Sequence, residues 1–92
     1  MKELHIESEL AEVLDIITDR QKLILHNDEV NTFEHVIDCL VRICAHDELQ
    51  AEQCAMLVHY KGKATVKTGA RADLMAMGIA LTDEGLNATV GE

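Results

Sequence analysis

Lys22-Leu23-Ile24-Leu25-His26-Asn27-Asp28-Glu29-Val30-Asn31-Thr32-Phe33 is the stretch where the chain changes character. It begins as an apolar run with β character and breaks abruptly into polar residues. Asn31 then opens a helical pattern, with Glu34 three residues on. The reading is a strand over 22–26, a polar corner, and a helix start. A corner held between two rigid elements keeps its side chains at the surface in fixed positions, which suits a binding site. Asn27, Asp28 and Glu29 put amide and carboxylate oxygens there, acceptors for a cationic or hydrogen-bond-donating ligand. The same residue types also make ordinary turns, because Asn and Asp bond their own backbone and tolerate unusual angles.

Downstream of the corner, residues 31–45 form the clearest helix. Asn31 as N-cap with Glu34 makes a capping box, and Phe33, Val36, Ile37, Leu40, Ile43 and Cys44 recur at three and four residues as a core face. Asp47 starts a second helix with Gln50 three residues later; its apolar set is Leu49, Ala51, Cys54, Ala55, Leu57 and Val58. This helix ends around His59-Tyr60-Lys61-Gly62, with basic residues in the last turn and Gly just beyond, as the helix dipole and a left-handed cap prefer. Residues 63–68 alternate strictly, predicting a strand with one wet face whose lysines discourage edge pairing. A third helix over 71–84 turns Leu74, Met77, Gly78 and Leu81 inward and stops at Gly85. A last strand covers 86–90. Upstream, residues 8–17 place Leu10, Val13, Leu14 and Ile17 at helical spacing opposite acids. That segment either docks on its own domain or serves as a mobile arm. The expected division is an arm over 1–20 and a core over 21–92. The expected fold is α+β, a single small domain with a three-stranded, mostly antiparallel sheet and three helices packed on one face, in the order β-α-α-β-α-β.

Ninety-two residues bound this to one domain near the lower limit for an unstapled core. With Phe33 and Tyr60 as the aromatics, Leu, Ile, Val, Met and Ala must fill that core. Eight basic residues against seventeen acidic ones give a net charge of −9, which repels phosphate backbones and anionic lipid. Nucleic acid and membrane surfaces are therefore excluded as partners, and a basic or N-terminally charged peptide is the better electrostatic match. No run approaches transmembrane length, and the N-terminus lacks a signal-peptide layout, so cytoplasm is the expected compartment.

Cys39, Cys44 and Cys54 lack a C-x-x-C spacing and fall inside helical patterns, where a free thiol packs as a small hydrophobe. His5, His26, His35, His46 and His59 are scattered over four elements, with no H-x-x-x-H pair and no adjacent cysteine at ligand spacing. No metal and no cofactor are expected. There is no nucleophile elbow, P-loop or glycine-rich phosphate cradle either, so the expectation is a protein that is not an enzyme.

The run Leu-Ile-Leu-His-Asn-Asp-Glu-Val-Asn-Thr-Phe-Glu-His-Val-Ile-Asp, followed by Ala-Glu-Gln-Cys-Ala-Met-Leu-Val-His-Tyr-Lys-Gly, closely resembles the ClpS family over about residues 21–90. ClpS proteins are adaptors that deliver N-degron substrates to the Clp AAA+ protease. The resemblance implies that Asn27, Asp28 and His59 hold the α-amino group of a substrate's first residue. It implies too that the large hydrophobic or aromatic side chain of that residue enters a pocket formed by Asn31, Phe33, Val36, Ala55 and Val58, with Leu86 or Ala88 from the last strand. A protonated amine offers three N–H donors, and Asp28 and the Asn27 amide oxygen are acceptors; His59 accepts only when neutral. One charge-assisted hydrogen bond is worth about 1.5–3 kcal/mol. Filling the pocket with a Leu or Phe side chain adds roughly 1.5–3 kcal/mol. Only together do they overcome the cost of association.

Three positions depart from the family pattern. Asn31-Thr32-Phe33 stands where Thr-Pro-Met is common, Ala55 stands where many members carry methionine, and the loop after Gly62 is a few residues shorter. The partners implied are the N-terminal domain of a Clp-family unfoldase, engaged by the arm, and N-degron substrates, with the adaptor itself a monomer. Two other readings compete: the same fold used as a non-enzymatic docking module whose acidic corner is merely a turn, and a metal-binding protein that uses its histidines.

Overall fold

The computed structural model describes Leu10 and residues 20–91. The expected amphipathic segment over 8–17 lies outside the described residues apart from Leu10. Six elements follow: β1 (Arg20–His26), α1 (Phe33–Cys44), α2 (Glu48–Lys61), β2 (Lys63–Ala70), α3 (Arg71–Asp83) and β3 (Asn87–Gly91). The sheet order is β2-β1-β3, and both pairings are antiparallel. β1 is thus the central strand. Its inward side chains Gln21, Leu23 and Leu25 are buried, while Lys22 between them is exposed, the period of two that one covered sheet face demands.

The helices cover that face with Leu40 and Cys44 from α1, Ala51, Ala55 and Val58 from α2, and Leu74, Gly78 and Leu81 from α3. Burying each Leu contributes on the order of 1.5–3 kcal/mol. The third helix fits its expected inward set, and a Cβ placed on Gly78 would stand 3.6 Å from Leu23 Cδ1, so this helix lies close on the central strand.

Two expectations need correction here. Asn31 is not the N-cap of α1. Thr32 is, its Oγ1 accepting from the His35 N–H at 3.1 Å, so no capping box with Glu34 forms. Leu49 and Leu57 of α2 point outward, 64% and 45% exposed. The buried face is the smaller Ala51, Ala55 and Val58 set, spaced by four and three. The predicted Asp47 cap does form, accepting from the Gln50 N–H at 2.7 Å.

β2 carries a bulge. Leu23 pairs with Lys67 and Ile24 with Thr65, leaving Val66 as the extra residue. Its carbonyl accepts from Nε2 of the buried His46 at 2.7 Å, which ties the α1–α2 connection to the sheet. Lys67 is not a free surface lysine: its Nζ donates to the Cys44 carbonyl at 2.7 Å, a positive charge at the negative end of α1.

Candidate functional site

The corner after β1 sits where three chain junctions meet. His26, the last residue of β1, pairs with Lys63 at the start of β2 and with Asn87 at the start of β3. Two hydrogen bonds then fasten the corner to the ends of two helices. The Asn27 N–H donates to the Gly62 carbonyl at 2.8 Å, and the Asn31 side-chain amide donates to the Gly85 carbonyl at 2.9 Å. Gly62 and Gly85 both have left-handed backbones, φ 87° and 86°, so each stops its helix and turns the chain back toward the sheet. His59 lies one turn before Gly62, which sets its ring beside the corner.

Within the corner, Asp28 organises the backbone. Its Oδ1 accepts from the N–H groups of Val30 at 2.9 Å and Asn31 at 2.8 Å, and its Oδ2 accepts from the Asn31 amide at 2.8 Å. The Asn31 N–H and the Asn31 side-chain amide, with a lesser contribution from the Val30 N–H, hold the Asp28 carboxyl below its ordinary value of 3.8, against the opposing effect of burial. The group is therefore an anion at neutral pH. A carboxylate has about four acceptor positions; three are used, and the one left over is on Oδ2.

A cavity of 420 Å³ opens against this corner. Its polar rim includes Asn27, Asp28, Glu29, Asn31 and His59; its apolar wall includes Phe33, Val36, Ala55, Val58 and Leu86. Of the residues expected to act together, the structure brings Asn27, Asp28, His59, Asn31, Phe33, Val36, Ala55 and Val58 to one cavity. Ala88 is not among them. It faces α3 and lines a different depression with Gly78 and Ile79, and Leu86, before the strand proper, takes the wall position. Leu25 and His26 also line the cavity. His26 adjoins Asn27 at the strand end, a proximity visible in the sequence; its Nε2 lies 2.8 Å from Thr89 Oγ1.

The cysteines and histidines are less scattered than their spacing suggests. Cys39 and Cys44 are buried and Cys54 half-buried, all free thiols, and burial pushes the Cys44 thiol up to about 11. His35 and Cys39, four apart on α1, meet Glu84, with candidate ligand atoms all within 4.8 Å of one another. That i, i+4 pair, which the sequence carries, corrects the expectation that no cysteine stands at ligand spacing from a histidine. The guanidinium of Arg42 already sits on this cluster, 3.3 Å from Glu84 Oε1 and 3.9 Å from Cys39 Sγ, and His35 Nε2 lies 2.9 Å from the Glu84 carbonyl.

An anionic, acceptor-rich notch beside an apolar hole on a small α+β scaffold has the form of a recognition module. The chain belongs to the ClpS family: the family described as ATP-dependent Clp protease adaptor protein ClpS matches residues 18–88. In three dimensions the fold is similar to that of Agrobacterium tumefaciens ClpS2 bound to L-phenylalaninamide. That likeness has a TM-score of 0.75 at 24% identity and covers 78% of this chain and 94% of that one.

Proposed function

We propose that this adaptor binds the free N-terminus of N-degron substrates with a large hydrophobic or aromatic first residue and delivers them to a Clp-family AAA+ unfoldase. Asn27, Asp28 and His59 receive the ammonium. Phe33, Val36, Ala55, Val58 and Leu86, with the aliphatic part of Asn31, enclose the first side chain. The supporting observation is the single cavity that carries both chemistries, an ionised carboxylate with one acceptor position to spare and an apolar wall across from it. The similar ClpS2 structure holds L-phenylalaninamide, a ligand with a free α-amine, a blocked carboxyl and an aromatic side chain. Ala55 contributes little bulk to the wall, so the hole accommodates aromatic as well as aliphatic first residues.

Residues 1–20 act in this reading as the arm that engages the unfoldase, and residues 21–92 as the substrate-binding core. The test is a panel of peptides differing only at the first residue, each with a free and an acetylated N-terminus, titrated calorimetrically. Free Leu, Phe, Tyr and Trp peptides bind and their acetylated forms do not; equal binding of both forms would sink the assignment.

A further inference from the structure

A second groove lies along the outer seam between α1 and α2, with a volume of 750 Å³. Phe33 walls both this groove and the cavity at the corner, so the two adjoin at that residue. The groove's apolar lining includes Ile37 and Val41 from α1 and Leu49 and Met56 from α2. Leu49 and Met56 are 64% and 49% exposed. Glu34, Glu48 and Glu52 border it as exposed carboxylates; among the described residues none of the three has an ion-pair partner, whereas the fourth acid, Asp38, is paired with Arg42 at 2.8 Å.

We propose that this seam seats the substrate residues that follow the first, and that it selects segments carrying Lys or Arg among apolar side chains. The inference rests on the function proposed above. Phe33 and Val41 are eight residues apart on α1, about 12 Å at the helical rise, room for about four extended residues. Residues two to five of the substrate therefore lie along it. Charge decides among the occupants. A second copy carries the same −9. The chain's own first nineteen residues carry six acids (Glu3, Glu7, Glu9, Glu12, Asp15, Asp19) against Lys2. Both are repelled by three unpaired carboxylates, whereas a basic segment is attracted by them and its apolar side chains cover the exposed Leu49 and Met56.

The experiment compares phenylalaninamide with two Phe-initiated peptides, one with Lys, Arg and Leu at positions two to five and one with Glu and Ser there. Binding is measured at low and high salt to the full chain and to its Glu52→Lys and Leu49→Ser variants. The basic, apolar peptide is expected to bind about tenfold tighter than the acidic one at low salt, the order that two or three exposed ion pairs supply together. The preference shrinks at high salt and in Glu52→Lys, Leu49→Ser weakens the basic peptide, and phenylalaninamide binds all three proteins equally. Equal affinity for the two peptides, or loss of phenylalaninamide affinity in the variants, overturns the proposal. Failure of phenylalaninamide to bind the unaltered chain overturns the function beneath it, and is told apart because it needs no groove.

Discussion

The side-chain amide of Asn31 donates to the carbonyl of Gly85, 54 residues away, at 2.9 Å. The same amide nitrogen donates to Asp28 Oδ2 at 2.8 Å. Both partners are acceptors, which fixes the orientation of the amide. One residue thus couples the anion of the corner to the end of α3, from which Leu86 enters the cavity wall.

Replacing Asn31 with Ala removes both bonds and leaves the Gly85 carbonyl without that partner. Urea unfolding should show a loss of about 1–3 kcal/mol. Affinity for a Phe-initiated peptide should fall as well, because the corner and Leu86 are no longer held together.

Asp28 carries two burdens, the turn and the ammonium. Asp28→Asn keeps an acceptor oxygen for the backbone but loses the charge, so the fold should persist while binding of a free N-terminus weakens by about tenfold or more, the scale of one charge-assisted hydrogen bond. Calorimetry on Asp28→Asn, with urea unfolding as the control, separates the two. An unchanged affinity would refute the role given to the carboxylate.

The pH dependence has a definite sign. The folded-state pKa of Asp28 lies below 3.8, so its contribution to stability is complete above the unfolded value and is lost as pH falls through the folded one. The stability difference between the unaltered chain and Asp28→Asn should stay flat from neutral pH to about 4, near the reference carboxyl value, and narrow only below it. The Asp28 carboxyl carbon shift, followed by NMR, should report the same displaced midpoint.

Ala45 caps α1 in the left-handed region at φ 57°, a conformation that strains a residue with a Cβ. Ala45→Gly should therefore stabilise the fold by about 0.5–1 kcal/mol, the relief of left-handed strain less the extra chain entropy of glycine. Gly62→Ala should do the reverse by about 0.5–1 kcal/mol, the same two contributions with opposite signs. Nothing lies within 4 Å of a Cβ at Gly62, so the cost there is purely conformational. Thermal denaturation of both variants checks the pair.

Ala55 is buried at 3% exposure and faces the cavity. Ala55→Met should fill part of the hole and discriminate by size, costing Trp- and Phe-initiated peptides about 1–3 kcal/mol relative to Leu. Peptide titrations give the ratio, and an unchanged melting temperature excludes overpacking of the core.

Strand and helix order and the polar corner were legible in the sequence because each rests on local signals: alternation, periodicity, Gly stops, and an acidic turn between them. That eight residues meet in one cavity was expected only from the resemblance to ClpS, since periodicity alone places Phe33 and Val58 in the core and His59 at a helix end. The errors arise where distance decides. Asn31 and Thr32 are both good caps, and the choice falls to Thr32 because Asn31 is drawn to Asp28 and Gly85. Ala88 and Leu86 differ by the register of a short strand, and β3 begins only at Asn87, so Ala88 belongs to the ladder while Leu86 stands before it at the corner. In α2, apolar residues surround the whole helix, and only packing reveals that Ala51, Ala55 and Val58 face the core while Leu49, Met56 and Leu57 face out. Lys67 reads as an edge charge until Cys44 is seen beneath it.

The mouth of the cavity is braced at two glycine stops, Gly62 through Asn27 and Gly85 through Asn31. A visiting chain end finds the receptor half of the encounter already assembled. Little ordering entropy then remains to be lost on the protein side, so tethering a substrate costs chiefly the freedom of the guest. Its dwell time is governed by how well that guest fits.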